Sequence, residues 1–323
     1  MVSEPDPLNE PESHDNERKR KNRSGRSARR RKAKLKAIQA AEQRIWSGDT
    51  TALNASVSLP TDRHKVWPGV LERRRDRLNS ADKIALIGQL GYLPGNAICV
   101  AARAQQVPSL PVEGDVPIVL KLYPLAIRDV YAGGKADGRK FKGRRRGGPS
   151  PTLDDDAATD EVDESKSQES GKEESSLLEP FPTIFWLTHP ILRTLTSKLE
   201  LGKTDNVTVM EARLQSNPQA MESMVRAHQA YGQERWKTLT ETDLDLVKAR
   251  KWEAALDAQR GVAGIRKPST IKCLHTHLAH YLSGGKGSED NIVGKWVMDS
   301  ITKLLQEKNQ DKDLVDNERH HSL

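Results

Sequence analysis

The stretch Glu179–Pro190, EPFPTIFWLTHP, decides the fold. Thr183–Leu187 concentrates β-branched and aromatic residues, which predicts a buried strand. Thr188 then offers a helix cap, and Pro190 falls in the first turn, where proline is tolerated. Leu192, Leu195 and Leu199 follow as an apolar stripe at helical spacing, and Gly202 is placed to end it. A strand that runs straight into an amphipathic helix sets the frame for everything on either side.

Toward the N-terminus, Val116–Tyr123 and Ala97–Ala102 read as two further strands. Asn79 and Ser80 can cap a helix over ADKIALIGQLGY, with Ile84, Leu86, Ile87 and Leu90 on its apolar side. Toward the C-terminus, helices are expected at 208–231, 243–258, 270–282 and 291–307. The fold class is therefore α+β: a small mixed or antiparallel sheet with predominant helices. Strands from both sides of a charged segment are expected to share one sheet. That segment is then an insertion inside a single domain, tolerated because closure entropy grows slowly with loop length. The expected layout is a disordered basic arm (1–45), two parts of one core domain (60–135 and 179–305), a disordered basic and acidic insertion (136–178) and a disordered tail (306–323).

The net charge of +7 belongs to one end of the chain. Residues 1–36 contain 12 Lys/Arg and 6 Asp/Glu, and the remainder is nearly balanced. The folded part thus lacks the overall basic character of a nucleic-acid-binding domain, and any nucleic-acid or acidic partner is expected on the arm. The arm also reads as a nuclear-localisation segment or as a solubilising tail. Arg139–Arg146 is basic, whereas residues 154–179 hold eleven acidic residues and several serines. Two cysteines, Cys99 and Cys273, exclude a disulfide framework. No secretion signal and no apolar run of membrane-spanning length is visible, so an intracellular protein, cytoplasmic or nuclear, with no membrane partner is expected.

The chemistry-bearing residues concentrate in Arg260–Leu282, RGVAGIRKPSTIKCLHTHLAHYL. Continued as a helix at 100° per residue, Ile271, Leu274 and Leu278 form an apolar stripe. Cys273, His277 and His280 form a second stripe opposite, with His275 at the apolar edge as a structural histidine. Cysteine sulfur and histidine nitrogen suit zinc or another divalent metal. His189, Cys99 and His228 are candidates for the missing ligand, and His189 is the favoured one. The plainer reading is an amphipathic helix that carries histidines. Gly261 and Gly264, with Arg260, Arg266 and Arg235, are candidate anion contacts, or else a tight turn. His228 and Tyr231 are candidate acid/base residues on a helical face shared with Arg235. No established enzyme signature is present.

Phe181–Pro190, the LTSKLE that follows, the residues around Tyr231 and the run from Arg260 to Val297 together resemble the bacterial domain-of-unknown-function family 501, over about residues 181–297. Leu90–Arg103 resembles its N-terminal strand region. The resemblance implies a fold neighbourhood rather than an activity. Some members carry a septum-formation label through gene proximity. Members generally read LTCP where this chain has His189, an exchange that retains a zinc ligand. They also tend to carry a cysteine after the AAR stretch, which this chain lacks.

The functional expectation is a metal-binding domain with hydrolase-like activity on a phosphorylated or nucleotide-like substrate. Its ligands would be Cys273, His277, His189 and His280. The alternative is a non-enzymatic interaction or adaptor protein, RNA-associated or related to cell division, that works through the basic arm.

Overall fold

The computed structural model describes residues 29, 32–40, 43, 66–74, 77–107, 109–112, 114–127 and 178–320. Most of the basic arm, the Arg139–Arg146 block and the acidic run before residue 178 lie outside these residues. Residues 32–40 are helical and are called α1. α2 spans Pro68–Arg74 and α3 spans Ser80–Leu90. Asn79 caps α3 by accepting the Asp82 N–H, and Gly91, at φ 82°, closes it with an N–H donated to Ile87 O.

The chain next forms β1 (Ala97–Arg103), β2 (Pro117–Leu122) and β3 (Leu125–Ile127). β4 (Leu178–Pro180) and β5 (Phe185–Leu187) follow after the insertion. β1, β2 and β5 make an antiparallel sheet in that order, so strands from both sides of the insertion share it, as expected. β3 and β4 pair separately, with Ile127 opposite Leu178. This two-stranded sheet was not anticipated. Its strands are only three residues long and have no alternation to read.

The sheet is buried on both faces. Leu120, paired with Trp186, and Leu122 pack with Leu86 of α3 on one face. Val119, paired with Leu187, joins the larger core with Leu192 and Leu195 on the other. That larger core is built by α4 (Pro190–Leu201), α5 (Val207–Gln215), α6 (Pro218–Thr238), α9 (Leu274–Leu282) and α10 (Ile292–His320). Burying each of these leucines contributes roughly 2 kcal/mol before entropy is counted. A third cluster gathers Val70, Tyr123, Leu239 and Val247 under α2, α7 (Glu241–Ala249) and α8 (Glu253–Leu256).

Several element boundaries differ from expectation. The helix expected over 208–231 is two, because Asn217 takes an extended conformation, caps α6 through Ala220 N–H and is followed by Pro218. The helix expected over 243–258 breaks at Lys251, which adopts a φ of 54°. The tail expected to be disordered from 306 instead continues α10 as far as His320. Among the described residues, no helix is long and apolar enough to cross a membrane.

Candidate metal centre

The helical stripe that was to carry Cys273, His277 and His280 does not form. α9 begins at Leu274, and Cys273 is its N-cap, with an extended backbone at φ −166° and ψ 136°. A residue off the helix no longer obeys the 100° rotation, so its side chain points away from those of His277 and His280. The expected set of Cys273, His277, His280 and His189 is not brought together: among the described residues, the donor atoms that converge are those of Glu200, Cys273 and His275. Their ligand atoms all lie within 4.8 Å of one another, and all three residues are half-buried.

Glu200 arrives from the last turn of α4. Its Oε1 accepts the Leu274 N–H at 2.7 Å, which caps α9 with a carboxylate where the helix dipole favours one. The same oxygen meets His275 Nδ1 at 3.0 Å. On the other side of the ring, Nε2 lies 3.2 Å from the Arg193 carbonyl and 3.1 Å from Ser197 Oγ. A carbonyl only accepts, so Nε2 carries a proton and Nδ1 is the nitrogen turned toward Glu200. Burial alone would lower the His275 value, but the hydrogen bonds with Cys273 and Glu200 and their charges outweigh it and raise it to about 9. Burial likewise pushes Glu200 up, and the contacts with His275, Leu274 and Cys273 bring it below its ordinary value.

These residues line a cavity of about 670 Å³. Phe181, Trp186 and Pro190 line its apolar wall, Arg193 adds a cation, and Lys34, Ala37 and Ile38 come in from α1. The i, i+3, i+4 spacing of those three puts them on one face of α1. Ile38 is the half-buried residue among 32–40, while its neighbours are exposed.

The other expected site residues are placed elsewhere. His277 and His280 are fully buried in the core. Asn291 holds both: its Oδ1 faces His277 Nδ1 at 3.2 Å, and its Nδ2 faces His280 Nδ1 at 3.0 Å. The His280 ring stacks on Phe185 and meets Tyr231 edge-on, with centroids 5.7 and 4.9 Å apart. Burial lowers both histidines to about 3. His189 is the N-cap residue of α4 and is buried, which lowers it to about 4; its Nδ1 has no partner among the described residues. Cys99 lies on β1 opposite Lys121 and is not part of the cluster.

His228 and Tyr231 are also core residues. His228 Nδ1 accepts the Val262 N–H at 3.0 Å, and Tyr231 Oη accepts the Ile184 N–H at 2.7 Å. Neither lines the cavity. Arg235, fully buried, donates to the carbonyls of Leu256, Pro182, Gly261, Asp257 and Arg260. Its guanidinium is spent on holding that loop, and burial lowers it to about 10. Gly261 is glycine because a Cβ there would stand 2.3 Å from His228 Nδ1, and Gly264 because its φ is 76°. Arg266 is exposed, and none of Arg235, Arg260, Gly261, Gly264 and Arg266 lines the cavity. The turn reading of this segment therefore accounts for its two glycines.

Sequence reasoning missed Glu200 because the contact is made between helices far apart in the chain, which no local spacing encodes. It set His275 aside as a structural histidine because helical rotation placed it at the edge of the apolar stripe.

The residues of this cluster fall within the match to a family model described as a protein of unknown function (DUF501), which covers residues 115–299. That is more than half of the chain, and the chain belongs to this family. No curated protein and no solved structure matches it.

Proposed function

We propose that this member of the family is a metal-binding protein whose centre is Glu200, Cys273 and His275, with zinc as the best-suited ion. The observation that carries this reading is the convergence of one carboxylate, one thiol and one imidazole within 4.8 Å at the wall of a large cavity. Zinc accepts these three donor types, and three protein ligands leave a fourth position for water or substrate. The outer contact of His275 fits as well. A metal-bound histidine usually gives its second nitrogen to a carbonyl or carboxylate, as Nε2 does here with Arg193 O. A catalytic thiol relay is less well served. There the imidazole would face the thiol with one nitrogen and the carboxylate with the other, whereas Glu200 shares the inner side and a carbonyl takes the outer one.

The activity that suits an open position is hydrolysis, because a bound metal lowers the pKa of water toward neutrality. For a phosphate ester, the water oxygen would bond to phosphorus as the ester oxygen leaves with a proton. In the metal-free chain His275 keeps its proton beside Glu200, so metal uptake displaces protons. Arg193 and Lys34 supply positive charge toward an anionic substrate.

The test is metal content. Full-length protein purified without chelator and dialysed against trace zinc is expected to retain about one equivalent. Cys273→Ser and His275→Gln should each reduce affinity by roughly ten- to a hundredfold or more. Retention unchanged in both variants, in protein that is still folded by circular dichroism, would sink the assignment.

The interaction reading keeps one supporting observation. α1 continues the basic run Arg18–Lys36 and lies against the cavity, so a nucleic acid or acidic partner held by the arm would sit beside the same site.

A further inference from the structure

The cavity beside the metal donors is much larger than a bare oxyanion needs, and its walls are of two kinds. One is aromatic: Phe181 and Trp186 form a tilted pair with centroids 6.3 Å apart, both half-buried at the cavity wall. The other is cationic: Lys34 and Arg193 line the cavity, and neither has a carboxylate partner among the described residues. Glu200, the one carboxylate among the described residues of the wall, is already engaged by His275 and Leu274. The cations are thus left to meet an anion from outside.

We infer that the ligand of this cavity is an anion joined to a planar apolar group, of the aryl-phosphate or nucleoside-phosphate class. The phosphate end lies toward Arg193, Lys34 and the donor cluster, and the ring lies against Phe181 and Trp186. A volume of about 670 Å³ falls within the usual range for small-molecule sites and leaves room for both parts. Lys34 and Ile38 make α1 a wall of the site, although α1 lies outside the residues that match the family. The inference rests on this cavity being the functional site.

The experiment measures binding to zinc-treated full-length protein by calorimetry, with three non-hydrolysable probes: phenylphosphonate, methylphosphonate and benzyl alcohol. Phenylphosphonate is expected to bind about tenfold more tightly than methylphosphonate, the increment of one ring in an aromatic contact. Benzyl alcohol, with the ring and no anion, should bind most weakly. Lys34→Ala should weaken both phosphonates by about threefold and leave metal content unchanged. Trp186→Leu should remove the phenyl preference alone. Equal affinity for the two phosphonates, or no effect of Lys34→Ala, overturns the inference. So does tighter binding in Ile38→Asp, which would make α1 a plug and not a wall. Metal content measured on the same samples keeps the two readings apart. Zinc retained without phenyl preference overturns only the ligand class, whereas phenyl preference without zinc overturns only the metal.

Discussion

His280 illustrates how one side chain can mislead at the level of sequence and still govern the behaviour of the protein. It faces Phe185, Tyr231, Asn291 and the Lys286 carbonyl, with the charge of a protonated His228 unfavourable nearby. Burial lowers His280 to about 3 and His228 to about 4. Their folded values lie below the unfolded value near 6.5, so the unfolded chain binds more protons and stability falls as pH drops below about 6.5. Each should cost about 2 kcal/mol between pH 6.5 and 5. His275 does not confuse this window. Its raised value contributes stability that is fully present below about 6.5 and is lost only as pH rises through 9. Urea unfolding of metal-free protein at the two pH values is the measurement. His280→Gln is expected to flatten the change by about 2 kcal/mol, and an unchanged slope would show that His280 is protonated in the folded state.

At the scale of elements, α9 and α10 cross at close range. A Cβ on Gly294 would lie 2.4 Å from the His277 carbonyl oxygen and 2.5 Å from Tyr281 Cβ. Gly294→Ala gains helix propensity of about 1 kcal/mol, but the crossing must widen, and a net loss of about 1–2 kcal/mol is expected. A thermal midpoint equal to or above the parent's would contradict this. The same pair of helices shows what local pattern can and cannot tell. β5 and α4 were legible because Thr183–Leu187 and Leu192, Leu195 and Leu199 carry their own periodicities. The start of α9 was not. Apolar Ile271 fits the stripe, yet the helix waits until Leu274, where the Glu200 carboxylate satisfies the first N–H. A helix start fixed by a side chain on another helix leaves no local mark. That displacement of four residues moved Cys273 off the helix and changed the candidate site from His277 and His280 to His275 and Glu200. The Cys/His concentration near residue 275 was readable, but the grouping was not.

For the molecule as a whole, the β1–β2–β5 sheet joins segments from either side of the insertion into one unit. A specific protease site placed between residues 150 and 151 should therefore allow the chain to be cut without parting it. The two fragments are expected to co-elute in size-exclusion chromatography and to separate only in denaturant. Fragments that separate in native buffer and each remain folded would mean two domains.

The pairing of Ile127 with Leu178 has a further consequence. It holds together the two ends of everything between them, whatever its length. A fivefold change in that length alters the closure free energy by only about 1.4 kcal/mol. The position is thus a natural splice point. Sequence can be lengthened, shortened or exchanged there, or a reporter domain grafted in, while the strands on both sides keep the same neighbours.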